Sequence, residues 1–140
     1  MKSIVFAATL ILLVFVSGCV NYLPTHFSEV SHTTSGFDEF KIASGRWDLN
    51  SRTGEYNLYL INNLGANIQV LSVDVTIKEQ TDSMDPVTVR PEGLLHIQTE
   101  GFKGLIQGEA YTANVVIYYE NLDSGVKGLI TRGKTTGLVS

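Results

Sequence analysis

Cysteine is nearly missing from this sequence, with Cys19 the single one in 140 residues. No disulfide can therefore close within the chain, and a domain exported to an oxidising compartment has to be held together by its core alone. Histidine is scarce as well. His26 and His32 stand six apart in a polar stretch with no third His or second Cys nearby, and His96 lies alone in a strand-like run. Neither setting supplies a preorganised ligand set or a base beside a nucleophile, so the three read as solvated or tolerated residues. Charged residues make up only 17% of the chain, the net charge is −4, and the signs are scattered rather than blocked. That excludes the basic face that nucleic-acid binding requires.

Other motifs are missing too. The glycines of Gly101–Gly108 lead into a strand-like run instead of a helix, so they do not form a phosphate cradle. Glu79, Asp82 and Asp85 lack the spacing of a calcium loop, and with Pro86 behind them they read as a polar turn. No Asn-x-Ser/Thr sequon occurs. The expectation is a protein with no catalytic residues, no metal and no cofactor.

Long apolar runs are also rare, with one exception. Lys2 is followed by Ile4–Val16, thirteen residues in which only Thr9 is polar, and then by Val16-Ser17-Gly18-Cys19. A positive start, an apolar middle and a small-residue exit make the three-part layout of a secretory signal. The run falls short of the about 20 apolar residues that an ordinary spanning helix needs. Val-Ser-Gly-Cys resembles the lipobox of bacterial-type lipoproteins: an aliphatic residue, two small residues and the acceptor cysteine. The resemblance implies cleavage between Gly18 and Cys19 and a diacylglyceryl group on the Cys19 sulfur. It places the remaining chain in the cell envelope, membrane-anchored and facing outside the cytoplasm. Retention of the segment as an uncleaved anchor helix and ordinary secretion with a free thiol are the competing readings.

Residues 19–36 follow as a spacer. Pro24 and the Ser/Thr-rich stretch Ser31–Gly36 show no helical or strand period, and a flexible coil of this length reaches roughly 20–25 Å. From residue 37 to 140 the chain changes character, with short β-rich runs alternating with Gly, Asn, Asp and Pro turns. Phe40–Leu49 and Glu55–Ile61 are expected to form a hairpin. Ile68–Glu79 alternates, with Leu71, Val73, Val75 and Ile77 on its dry face and Ser72, Asp74, Thr76 and Lys78 on its wet one. Gln80–Asp85 reads as a turn, and Val87–Arg90, between Pro86 and Pro91, as an edge strand. Tyr111–Asn121 carries the strongest strand pattern, with Tyr111, Val115, Ile117 and Tyr119 facing inward. Tyr111 also suits a tyrosine corner, in which a Tyr at a strand start bonds back to the backbone. Val126–Val139 closes the domain with a kink expected at Gly133. Trp47 is expected to pack between sheets rather than to stack on a sugar.

These signals predict an all-β protein: an immunoglobulin-like β-sandwich of about seven strands behind an N-terminal apolar signal or anchor helix. The order of Trp47, the hairpin, the alternating strand, Gly108…Tyr111–Tyr119 and Asp123-Ser124-Gly125…Gly133…Gly137–Ser140 resembles the β-sandwich heads of archaeal type IV pilin-like surface proteins. Those heads ride on a long apolar helix that packs a filament core, whereas this chain has a short run ending in a lipobox. The resemblance implies a non-enzymatic binding or structural module on a lipid anchor, with a protein or glycan partner. The alternative is a pilin-like subunit that assembles through its N-terminal segment.

Overall fold

The computed structural model describes residues 32–140. The signal segment, Gly18, Cys19 and His26 lie outside them. The described chain contains nine strands and no helix: β1 (Thr34–Gly36), β2 (Phe40–Leu49), β3 (Tyr56–Asn62), β4 (Ile68–Ile77), β5 (Gln80–Met84), β6 (Val87–Val89), β7 (Leu94–Thr99), β8 (Ala110–Asn121) and β9 (Leu129–Leu138). A six-stranded sheet runs β1-β9-β8-β4-β5, with β6 also on β4, and a three-stranded sheet runs β2-β3-β7. All pairs are antiparallel.

Period-two patterning explains how the sheets face each other. Tyr56, Leu58, Leu60 and Asn62 of β3 are buried while the residues between them are half-buried, and β7 and β8 alternate in the same way. Leu58, Leu60, Leu95 and Ile97 from the smaller sheet share one core with Ile68, Val73, Val75 and Ile117 from the larger. Trp47, Val73, Val75, Ile77, Tyr111, Val115, Ile117 and Tyr119 are all buried. Trp47 lies at the seam between sheets, where its indole N–H donates to the Thr136 carbonyl of β9 at 2.9 Å.

Leu71 departs from the expected dry face. It is 42% exposed. The ladder between β4 and β8 pairs Val70 with Tyr119 and then Ser72 with Tyr118, so Leu71 is an extra residue in a β-bulge. The bulge resets the phase: Ile68 and Val70 face inward before it, and Val73, Val75 and Ile77 after it. A single alternation drawn from Leu71 to Ile77 misses the switch because the residue added to the ladder is itself apolar.

Two other segments also differ from expectation. Thr34–Gly36, assigned to the spacer, pairs with Gly133–Thr135 as β1. Gln80–Met84 is a strand rather than a turn, because the reversal occurs one step earlier, at Lys78 and Glu79. Both have positive φ, 49° and 65°, the conformation of a two-residue hairpin that Asn-Gly usually supplies. The Asn62–Asn67 segment carries the chain from the small sheet to the large one. Asn62 is fully buried there, and its amide donates to the carbonyls of Ala66, Val89 and Arg90.

At Gly133, where a kink was expected, the β8–β9 register runs through unbroken, and the glycine instead has a packing role. A Cβ at this position would overlap three atoms of the Phe37 ring, which is 2% exposed. Gly133 is thus the floor on which the first buried aromatic of the domain sits.

Candidate functional site

Tertiary pairing gathers polar and aromatic side chains on the outer face of the three-stranded sheet. In β3, burying Tyr56, Leu58 and Leu60 forces Asn57, Tyr59 and Ile61 to the other face, and in β7 burying Leu95, Ile97 and Thr99 does the same to Leu94, His96 and Gln98. Antiparallel register sets Tyr59 directly opposite His96, Asn57 opposite both Asp48 and Gln98, and Ile61 opposite Leu94. On the β2 side the pairing jumps from Ile42–Leu60 to Trp47–Leu58, so residues 43–46 stand against Tyr59 alone. Tyr59 therefore takes its partner from β7.

The Tyr59 and His96 rings stack with centroids 4.2 Å apart and planes 6° from parallel. His96 Nε2 lies 2.7 Å from Asn57 Oδ1. Asn57 Nδ2 donates to Glu55 Oε1 at 2.8 Å, and Gln98 Nε2 donates to the same oxygen at 3.0 Å. A carboxylate only accepts, which fixes the Asn57 amide with its nitrogen towards Glu55 and its oxygen towards His96. His96 Nε2 must then carry the proton, and in the neutral ring Nδ1 keeps the lone pair. The result is a chain of oriented groups whose remaining valences point outward.

Asp48 sits at the end of this network. Burial holds its carboxyl above the ordinary range, repulsion from Glu55 adds to the rise, and the attraction of His96 opposes it.

Among the described residues the His96 ring bonds an amide oxygen, not a hydroxyl or thiol. Asp82 accepts the Glu100 N–H at 2.9 Å, linking the β5 edge to the end of β7, while Glu79 is in the hairpin turn. Among the described residues no group of three His, Cys, Asp or Glu is placed to hold a metal. Nor is the tyrosine corner formed: the buried tyrosine hydrogen bond belongs to Tyr56, whose hydroxyl lies 2.7 Å from Thr135 Oγ1, with Tyr111 packed edge-on against it. Burial raises the pKa of both phenols, foremost among the causes.

Sequence reading singled out His96 but not Glu55, Asn57, Tyr59 or Gln98. The outward alternation of Asn57 and Tyr59 was available in the sequence. What joins them to His96 and Gln98 is a register across 39 residues, which no local pattern contains.

No protein-family model matches the chain, and no curated protein sequence matches it. Two solved chains do, among them that described as the crystal structure of chicken MD-1 complexed with lipid IVa, at 15% identity, covering 75% of this chain and 87% of that one with a TM-score of 0.30. A likeness of that size places no constraint on ligand or activity.

Proposed function

We propose that this protein is a lipid-anchored, non-enzymatic module of the cell envelope that presents the outer face of β2-β3-β7 to a hydroxyl-rich ligand such as a glycan. The observation that carries the ligand class is the Tyr59–His96 stack, continuous with the Glu55–Asn57–Gln98 hydrogen-bond chain. Aromatic faces pack against the C–H face of a sugar ring, and adjacent amide and carboxylate groups match neighbouring hydroxyls. Side chains already fixed by mutual bonds lose little entropy when they bind. The anchor reading rests on Val16-Ser17-Gly18-Cys19 and on the thiolate as the segment's suited nucleophile.

Two measurements test these parts separately. Mass spectrometry of the mature N-terminus should find a diacylglyceryl group on Cys19, and Cys19→Ser should accumulate as unprocessed precursor. A Ser variant that is still cleaved, and that partitions between detergent phase and water as the wild type does, would refute the anchor, and an intact apolar segment in the mature protein would favour the filament alternative. Glycan-array binding should be lost in Tyr59→Ala and in Gln98→Ala while both melt cooperatively. Glycan binding unchanged in both variants would remove this face as the site.

A further inference from the structure

The opposite side of the sandwich carries a pair of charges that no other described residue neutralises. The outward positions of β9 include Ile130, Arg132, Lys134 and Leu138, all exposed. Register places Asn114 of β8 beside Lys134, with Ser35 of β1 on its other side. These two, with Arg132 and Lys134, border a depression of about 230 Å³ to which Gly36 and Gly133 contribute bare backbone. Two residues apart on one strand face, the cations are roughly 6–7 Å from each other. The ion pair among the described residues is Lys78–Glu109, and neither Arg132 nor Lys134 has a side-chain hydrogen bond. On a chain of net charge −4 this is a local inversion of sign.

Apolar groups frame the cations. Ile130 is 43% exposed and Leu138 40%, one on each side of the pair along β9. Leu71, turned out by its bulge, adds to the Ile130 end, next to the Ser72–Tyr118–Ile130 rung. The acids of this face stand off the pair: Asp74, on β4 two strands from β9, accepts the Ser83 hydroxyl at 2.8 Å, and Glu120, on β8 past the end of the β9 ladder, stands opposite Gln69. Basic and apolar character is therefore concentrated at the β9–β1 edge.

That edge is also where the chain leaves the domain towards Cys19. Fourteen residues, 20–33, separate Cys19 from β1. Even fully extended they span no more than about 50 Å, so an anchored Cys19 holds this edge close to the headgroups. A tether so short replaces most of the concentration that a free domain would need for contact.

We propose that the outer face of β9 and β1 docks onto the anionic phospholipid surface of the leaflet that holds the lipid anchor. Arg132 and Lys134 pair with headgroup phosphates, Asn114 and Ser35 donate to the same oxygens, and Ile130 and Leu138 enter the interfacial layer. Each basic residue near such a surface favours contact by about fivefold. The proposal rests on the anchor reading, and it turns the Tyr59–His96 face away from the membrane towards the medium.

The test uses the full chain purified from membranes, with an environment-sensitive fluorophore on Ile130→Cys or, as control, on Leu94→Cys of the other face, where Leu94 is 57% exposed. The protein is reconstituted into vesicles of phosphatidylcholine alone or mixed with phosphatidylglycerol. The label at 130 should shift to the blue only with phosphatidylglycerol, and the shift should fade at about 0.5 M salt, where screening reaches within a few ångströms. Arg132→Gln with Lys134→Gln should lower the ratio of docked to undocked protein by roughly 25-fold, about fivefold for each cation. The label at 94 should stay aqueous throughout. Equal responses at 130 and 94, or indifference to phosphatidylglycerol, overturns the docking. The N-terminal mass of the same sample keeps the two readings apart: a lipidated Cys19 with a silent label at 130 leaves the anchor standing and removes the docking. If Cys19 is bare, the anchor reading fails, and cosedimentation of the chain with phosphatidylglycerol vesicles decides the docking alone. Binding lost in the double Gln variant sustains it, and absence of binding ends it.

Discussion

Replacing Gly133 by alanine puts a methyl group where the Phe37 ring now sits, overlapping Cδ2, Cε2 and Cζ. The ring has little room to retreat. Phe37 is held at φ 61°, its N–H donates to the Arg132 carbonyl at 3.1 Å, and its own carbonyl accepts the Phe40 N–H at 2.8 Å. Relief therefore requires the side chain to leave the core, at a cost close to that of deleting it, about 3–5 kcal/mol for a buried Phe. The lower chain entropy of alanine in the unfolded state returns only about 0.4–1 kcal/mol. Phe37→Ala alone should cost about 3–5 kcal/mol. Were the two effects independent, the double variant would lose about 6–9 kcal/mol, most of a typical stability of about 5–15 kcal/mol. Because one event, loss of the ring from its seat, underlies both, and the added methyl partly fills the vacated space, the double variant should instead lose about 3–5 kcal/mol. Urea unfolding of the four proteins measures the cycle. Additive losses would show that Gly133 and Phe37 act separately, and the reasoning about their contact would be wrong.

Ile117→Ala should destabilise by about 2–5 kcal/mol, since its side chain is fully buried, whereas Leu71→Ala should change unfolding by no more than about 0.5 kcal/mol; equal losses would contradict the bulge. Exchanging Lys78-Glu79 for Asn-Gly should stabilise by about 1 kcal/mol, because both residues now occupy left-handed backbone that suits the new pair. A decrease in melting temperature would mean that the Lys78–Glu109 ion pair, 2.6 Å between partners, matters more than the strain. Asp48→Asn should raise the melting temperature at neutral pH. Its folded pKa lies above the ordinary aspartate value of 3.8, so between those two values the native state binds more protons than the unfolded one. Stability contributed by this group therefore falls as pH rises through that window, and the gain from Asn should shrink on acidification; a gain independent of pH would assign it to another cause.

The sequence by itself determined a good deal. Alternation in Tyr111–Asn121 specified a strand and its buried face, and the β-rich run Glu55–Ile61 a second strand, because a side-chain period of two is a local property of extended backbone. The prolines around Val87–Val89 correctly announced a strand at a sheet edge. The resemblance of Val16-Ser17-Gly18-Cys19 to a lipobox is likewise local, carried by four residues.

Only tertiary structure decided the rest. Leu71 leaves the core because of how β4 matches β8, and the sequence of β4 shows nothing of β8's register. Gly36, Phe37 and Gly133 form one packing unit although nearly a hundred residues separate its ends, so β1 reads as spacer until β9 is beside it. The Tyr59–His96 stack and the Arg132–Lys134 edge arise in the same way. Each needs strands from distant parts of the chain set in one register, and that register is fixed by burial of the opposite face, a free energy that belongs to the assembled sandwich and to no segment of it.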